Sequence, residues 1–158
     1  MGEQDTRLDD TEIKPIELDT ALEYASNVQG GTIITIRRDG RPQSSDVHHG
    51  VHDGTISFSV LPGRAKVFNV ERDSRVVYHV SNTQDGSYLS FDGIAAVSPI
   101  PTSVNDPAVD ILIDSFRAVA KKEHPDWDEF REAMVREKRR AITVTPTSVV
   151  GLIRPVWR

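Results

Sequence analysis

The sequence contains no cysteine in 158 residues, and aromatic residues make up only 6% of it. The absence of cysteine excludes disulfides, cysteine-based zinc sites and thiol nucleophiles, and it makes a cytoplasmic location the default expectation. No apolar run approaches the ~20 residues that a membrane-spanning helix needs. The first ten residues also lack the basic and apolar regions of a signal peptide. We therefore expect no membrane partner.

The sequence also contains fewer basic than acidic residues. The 19 lysines and arginines are outnumbered by 24 acidic residues, which gives a net charge of −5. A general nucleic-acid partner is not expected, because phosphate contacts require a basic face. The length suits one domain with a proper core. Residues 1–14 are polar and acidic, which predicts a flexible tail before a single domain over residues 15–158.

Strand patterns dominate the first two thirds of this domain. They combine β-branched residues with alternation of apolar and polar positions, and tight turns separate many of them. The predicted strands are residues 32–37, 42–51, 54–60, 75–80 and 87–97. Gly93 predicts a bulge or bend in the last of them. Sequential strands with short connections favour a meander that closes into a barrel.

Helical patterns flank these strands. We predict a helix over residues 15–28 and a second over 107–123 with Asn105 or Asp106 as its cap. Two more predicted strands, residues 141–145 and 148–153, follow a charged helix over 127–139. The fold class is therefore mainly β with flanking helices (α+β).

The segment after the strand over residues 54–60 carries the clearest binding signal. Pro62-Gly63 ends that strand, and Val67, Phe68 and Val70 then give an apolar side at helical spacing, so Arg64 and Lys66 stand at the start of a short helix. Free backbone N–H groups and the helix dipole favour anions there, and two cations would complete a phosphate site. A solvated turn with two surface cations is the alternative.

Histidines cluster in His48-His49-Gly50-Val51-His52. On one strand, His48 and His52 would share a face, but roughly 13 Å of strand would separate them, which is too far for one metal ion. We therefore predict no metal site. His48 is interpreted as a proton donor or the wall of a ligand cavity, and His49 and His52 as surface residues.

Two common catalytic signatures are absent from the chain. No Gly-x-Gly-x-x-Gly motif follows a strand, so a Rossmann dinucleotide site is not supported. No Gly-x-Ser-x-Gly nucleophile elbow is present either. The charged residues of the helix over 127–139 suit its dipole, and we assign them no chemistry.

The order of several motifs is familiar. Gly40-Arg-Pro-Gln-Ser-Ser45, Gly63-Arg-Ala-Lys-Val-Phe-Asn69, Arg72-Asp-Ser-Arg75 and the segment 87–95 resemble the pyridoxamine-phosphate-oxidase-like split β-barrel superfamily. More narrowly, they resemble its actinobacterial branch of coenzyme F-420 (deazaflavin)-dependent reductases. The likeness continues through residues 127–134 and 148–151. It implies an FMN-binding-like split β-barrel and a homodimer, with two flavin-like ligands in the grooves between subunits.

The resemblance also implies roles for individual residues. Arg64 and Lys66 match the phosphate-binding cations of the family, and Asn69 matches the closing position of that motif. The full implied cofactor-binding set is Gln43, Ser45, Ser59, Arg64, Lys66 and Asn69. Gln43 and Ser45 match the strand beside the ring system, and Ser59 its neighbour. Tyr88 would come from the other subunit or line the substrate pocket.

The implied activity is that of an oxidoreductase. The reduced deazaflavin would pass a hydride to an electron-poor double bond of a small organic substrate, and a proton would come from solvent, His48 or Tyr88. One alternative is an FMN-binding oxidoreductase on the same barrel. FMN needs a compact pocket for one phosphate, whereas F-420 needs a longer groove for its acidic oligoglutamate tail. Such a groove could be lined by Arg37, Arg38, Arg41 and Arg75, although each is more often a solvated residue at a strand end. Another is a non-catalytic cofactor or tetrapyrrole-binding protein, in which His48 or His79 would be an axial haem ligand.

Overall fold

The computed structural model describes residues 15–154, and the predicted tail over residues 1–14 lies outside them. Four helices and seven strands are present in this part of the chain. In chain order they are α1 (Leu18–Ser26), β1 (Gly30–Ile36), β2 (Pro42–His48), β3 (Gly50–His52), β4 (Thr55–Val60), α2 (Ala65–Arg72), β5 (Arg75–Asn82), β6 (Ser87–Val97), α3 (Pro107–Ala120), α4 (Trp127–Arg136) and β7 (Arg140–Leu152). The predicted fold class, mainly β with flanking helices, is confirmed.

All strand pairs are antiparallel, and the order across the sheet is β2-β1-β5-β6-β7-β4-β3. The predicted simple meander is wrong, because β4 pairs with β7 and not with the next strand in the chain. The reason is the segment after β4, which forms α2 in place of a hairpin and carries the chain across to β5. The last strand then fills the position beside β4.

The sheet closes where β2 meets β3. His48 at the end of β2 pairs with Gly30, whereas Gly50 at the start of β3 pairs with Ser57. The two edge strands are therefore consecutive in the chain and are joined by His49. The single strand predicted over residues 42–51 is interrupted at this residue, and its two parts form the two edges of the sheet. The result is a barrel whose interior is filled by the alternate side chains of the strands, including Ile33, Tyr78 and Phe91.

The joining residue His49 is buried, so its interpretation as a surface histidine is wrong. Its Nε2 lies 2.8 Å from the carbonyl oxygen of Ala25 in α1, and its Nδ1 lies 2.6 Å from the hydroxyl of Tyr78. A carbonyl only accepts, so Nε2 carries the proton and Nδ1 accepts from Tyr78. This neutral imidazole ties α1 to the barrel.

The buried, neutral state of His49 predicts that the free energy of unfolding depends on pH. Burial lowers the pKa of His49 below its ordinary value of 6.5. Below pH 6.5 the unfolded chain therefore binds more protons than the folded one, and the free energy of unfolding falls as pH falls, by up to about 1.4 kcal/mol per pH unit. Denaturant unfolding between pH 7.5 and 5 measures this slope. The slope should be smaller in His49→Gln than in the wild type. It should be unchanged in the control His52→Gln, which removes an exposed imidazole. Equal slopes in the wild type and both variants would contradict this account.

The irregularity predicted at Gly93 is confirmed as a register shift between Asp92 and Gly93, but the extra residue, Thr147, belongs to β7 and not to β6. A Cβ at Gly93 would lie 2.8 Å from Cγ1 of Val144, so β7 passes too close for a side chain. The two strands predicted over 141–145 and 148–153 are in fact the single strand β7. Pro146 is tolerated within it because it pairs with Gly93 at the bulge, where the regular hydrogen bonding is already interrupted.

Helices α3 and α4 form a hairpin on the outside of the barrel. Asp106 caps α3 by accepting a hydrogen bond from the amide of Ala108, as the sequence predicts. Each helix ends about three residues earlier than predicted, because Lys121 and Lys138 adopt left-handed backbone conformations with φ of 55° and 51°. The apolar side of the hairpin forms a second core with Ala141 at the start of β7.

Candidate active site

A cleft of about 590 Å³ lies where β2, β4 and the start of α2 face the α3–α4 hairpin. We call it the main cleft. Four of the predicted site residues line it together, namely His48, Ser59, Arg64 and Lys66. Its opposite wall is largely apolar and comes from Leu112, Phe116, Val119, Phe130 and Met134. The cleft thus joins two cations on one side to an apolar wall on the other.

The cations stand at the start of α2, as predicted. The chain turns at Gly63, whose φ is 78°, and Arg64 occupies the N-cap position with extended backbone dihedrals. No side chain caps the first amides of α2, and its first turn contains no acidic residue. An anion at this position would meet free N–H groups, the positive end of the helix dipole and two cationic side chains.

Lys66 is the more enclosed of the two cations. Its pKa is lowered first by burial and then by the positive charge of Arg64. Within residues 15–154 neither cation forms an ion pair. Two neighbouring cations without a carboxylate partner repel each other, and an anion bound between them would relieve that repulsion.

Helix α2 is held in place by Asn69, which is buried beneath it. The Asn69 amide nitrogen donates to Thr35 Oγ1 at 3.0 Å and to Gln43 Oε1 at 3.1 Å, while its oxygen accepts from Arg72 at 2.9 Å. These bonds fasten the helix to β1 and β2. Neither Asn69 nor Gln43 lines the main cleft, so direct contact of these two residues with a cofactor stays a prediction.

The remaining predicted residues lie on other surfaces. Ser45 points toward the barrel side of β2 opposite Ile33 and does not line the main cleft. Tyr88 lies on β6, where its ring stacks on His79 with centroids 6.2 Å apart. His48 alone of the two predicted proton donors therefore faces the main cleft in the single chain.

A smaller cleft of about 360 Å³ adjoins the main one, and we call it the side cleft. Asp46, Val47 and His48 line both clefts and form the wall between them. His79 lines the side cleft as well. The hydroxyl of Thr32 donates to the Asp46 carboxylate at 2.8 Å, which fixes that carboxylate on the outer face of the sheet. In the described residues no group of three or more histidine and acidic side chains could hold a metal ion.

Sequence reasoning missed Arg139, which also lines the main cleft. It was interpreted as one of several basic residues that complement the α4 dipole. No local pattern distinguishes Arg139 from Arg136, Lys138 or Arg140, because the direction of each side chain depends on where the helix ends. The apolar wall was missed for a related reason, since the helical pattern of α3 and α4 does not say which surface they cover.

These features define a split β-barrel: a closed antiparallel sheet in which one interrupted strand serves both edges, with helices outside. No protein-family model matches the sequence. Solved structures do share the fold. The conserved hypothetical protein Rv2991 of Mycobacterium tuberculosis superposes with a TM-score of 0.69 at 16% identity, covering 93% of this chain and 95% of that chain.

Two further solved structures share the fold. An F-420 reductase has a TM-score of 0.58 at 20% identity and covers 80% of this chain and 94% of its own. A Listeria innocua protein assigned as a pyridoxamine 5'-phosphate oxidase has a TM-score of 0.59 at 17% identity, over 85% and 97%. The chain therefore has the split-barrel fold of pyridoxamine-phosphate-oxidase-like proteins. Within residues 15–154, no helix is long and apolar enough to span a membrane.

Proposed function

We propose that this protein is an oxidoreductase of the F-420-dependent branch, and that its main cleft binds coenzyme F-420. In this proposal the protein transfers a hydride from the reduced coenzyme to an electron-poor double bond of a small organic substrate. The observation that carries the proposal is the meeting of Ser59, Arg64 and Lys66 with an apolar wall in one cleft. The fold shared with an F-420 reductase supports it.

The residues of the main cleft fit such a cofactor. The volume of about 590 Å³ lies in the range of cofactor and ligand sites. Arg64 can bind two phosphate oxygens in one plane, and Lys66 adds a mobile point charge. Phe116, Phe130 and Met134 offer an apolar surface for a planar ring system. Asp46 is the one carboxylate among the described residues that line the cleft.

When bound in its reduced form, coenzyme F-420 supplies the hydride. The protein supplies position and proton transfer. Arg64 and Lys66 would hold the phosphate end of the cofactor, and Ser59 and His48 line the same cleft. His48 lies on the wall between the two clefts, where it can deliver a proton to a substrate that enters through the side cleft.

FMN is the second candidate cofactor, because it presents a phosphate and a planar ring to the same residues. The phosphate site alone does not distinguish the two cofactors. A haem-binding alternative has one structural point in its favour, since His48 and His79 both line the side cleft. A bound haem would give a strong absorption band in the visible spectrum, so the purified protein tests this alternative directly.

We propose further that two copies pair through the outer face of the sheet. Four large apolar or aromatic side chains are exposed on β6 and β7, namely Tyr88, Ile94, Val150 and Leu152. Val150 is 65% exposed, and a mainly apolar groove of about 440 Å³ lies beside Ile94. Exposed large apolar side chains on one sheet are typical of interfaces. A partner there would bring its own Tyr88 toward the side cleft, in the role predicted for that residue.

The proposed dimer predicts that Val150→Asp yields a monomer. A carboxylate in an apolar interface would lose its hydration without gaining a partner. Sedimentation velocity at roughly micromolar concentration measures the assembly state. Ile100→Asp is the matched control, because Ile100 is 46% exposed but lies outside the sheet. A wild-type monomer, or a Val150→Asp protein that remains dimeric, would contradict the interface.

The activity is tested by oxidation of reduced coenzyme F-420 in the presence of a panel of cyclic enones. Hydride transfer restores the visible absorbance of the oxidised coenzyme and yields the saturated ketone. We expect turnover with at least one enone and none without protein. Turnover with reduced FMN but not with reduced F-420 would transfer the assignment to the flavin alternative.

A further inference from the structure

We propose that Arg139 is a third anion-binding residue of the main cleft and contacts the acidic oligoglutamate tail of coenzyme F-420. This inference rests on the proposed function and extends it from the phosphate to the remainder of the ligand. It comes from the end of α4, a part of the chain to which the sequence motifs assign no role.

The backbone of Arg139 is fixed by the end of α4. The amide of Arg139 donates to the carbonyl of Met134 at 3.0 Å, and the amide of Lys138 donates to the carbonyl of Val135 at 3.2 Å. With Lys138 left-handed, these two bonds form a Schellman motif. Met134, which accepts one of them, itself lines the main cleft. The motif therefore presents the Arg139 side chain to the same cleft.

Arg140, the next residue in the chain, does not line the main cleft. Arg140 donates to the carbonyl of Ser98 at 2.6 Å and forms an ion pair with Glu71 at 2.7 Å. Arg136 is exposed at the end of α4 and does not line the cleft. Of these three arginines, only Arg139 lines the main cleft.

Charge in the cleft favours a ligand with more than one anionic group. Arg64, Lys66 and Arg139 line it together with one carboxylate, Asp46, although the whole chain has a net charge of −5. A single phosphate is satisfied by the pair at the start of α2. The third cation, Arg139, lines the same cleft and would meet a second acidic group of the ligand.

The Arg139 side chain forms an ion pair that a ligand could replace. Its Nε donates to Glu137 at 2.9 Å, and the two side chains are 27% and 38% exposed. Partly exposed ion pairs contribute little to stability, so a ligand carboxylate can replace Glu137 at small cost. Glu137 then acts as a placeholder that competes with the tail.

The test compares coenzyme F-420 carrying several glutamates with the form that lacks them, by fluorescence titration at low salt. Arg139→Met should weaken binding of the tailed form about five- to tenfold and that of the tail-less form less than about twofold. Arg139→Lys retains the charge and should recover most of the affinity. Glu137→Gln should tighten binding of the tailed form about two- to fivefold, and Arg136→Met should change neither.

The outcomes separate this inference from the function on which it rests. If wild-type protein binds neither form, the proposed function fails and the inference fails with it. If wild-type protein binds both forms but Arg139→Met weakens them equally or not at all, only the tail contact is overturned. A loss in Arg139→Met that Arg139→Lys does not recover assigns Arg139 a packing role and also overturns it.

Discussion

Replacing Lys66 with alanine is expected to weaken binding of coenzyme F-420 by about tenfold or more, because a charge-assisted hydrogen bond contributes about 1.5–3 kcal/mol. Lys66 is half-buried, its pKa is lowered by burial and by Arg64, and no carboxylate in residues 15–154 pairs with it. A cofactor phosphate would supply the missing negative charge. Fluorescence titration of the variant and the wild type measures the ratio of the two dissociation constants.

Lys122→Ala provides the matched control for this measurement. Lys122 is exposed beyond the end of α3 and does not line the main cleft. Its loss removes the same charge from the chain and should leave the dissociation constant within about twofold. An unchanged dissociation constant in Lys66→Ala would reject the phosphate site and return Arg64 and Lys66 to the solvated-turn alternative.

Replacing Gly50 with alanine is expected to cause a large loss of stability, because the added methyl group would overlap the backbone of α3. A Cβ at Gly50 would lie 2.4 Å from the carbonyl carbon of Ala118 and 2.5 Å from the amide nitrogen of Val119. These atoms belong to the α3 backbone, which cannot rotate away. We expect a loss of about 3 kcal/mol or more in the free energy of unfolding, measured by denaturant titration.

The position of Gly50 makes this a test of the barrel closure as well. Gly50 begins β3 directly after His49, so a displaced α3 would also move the wall of the main cleft. Gly30→Ala, in β1, is the control: its Cβ would lie 3.3 Å from the Val47 carbonyl oxygen, and we expect less than half the loss. Equal stability of Gly50→Ala and wild type would show that α3 does not pack on β3 as described.

Local features of the fold were predictable because they depend on neighbouring residues. Alternation placed Ile56, Phe58 and Val60 on one face of β4, and all three are buried. The Pro62-Gly63 turn and the spacing of Val67 and Val70 located α2 and the two cations at its start. Gly93 indicated the irregular pairing of β6, because the neighbouring strand leaves no room for a side chain there.

Long-range features were not predictable in the same way. The pairing of β4 with β7 joins residues 80 to 88 positions apart, from Val60 with Arg140 to Ile56 with Val144, and no local pattern predicts it. His49 shows the same limit, since its two hydrogen-bond partners, Ala25 and Tyr78, lie 24 and 29 residues away. Arg139 required knowledge of how α4 ends and which wall lies beside it.

The central claim is that the main cleft is a site for coenzyme F-420, and a paired titration tests it most directly. Purified wild-type protein is titrated with oxidised coenzyme F-420 and, separately, with FMN, and fluorescence gives both dissociation constants. The account predicts roughly micromolar or tighter binding of coenzyme F-420 and binding of FMN at least about tenfold weaker. Tighter binding of FMN, or no binding of either cofactor, would contradict it.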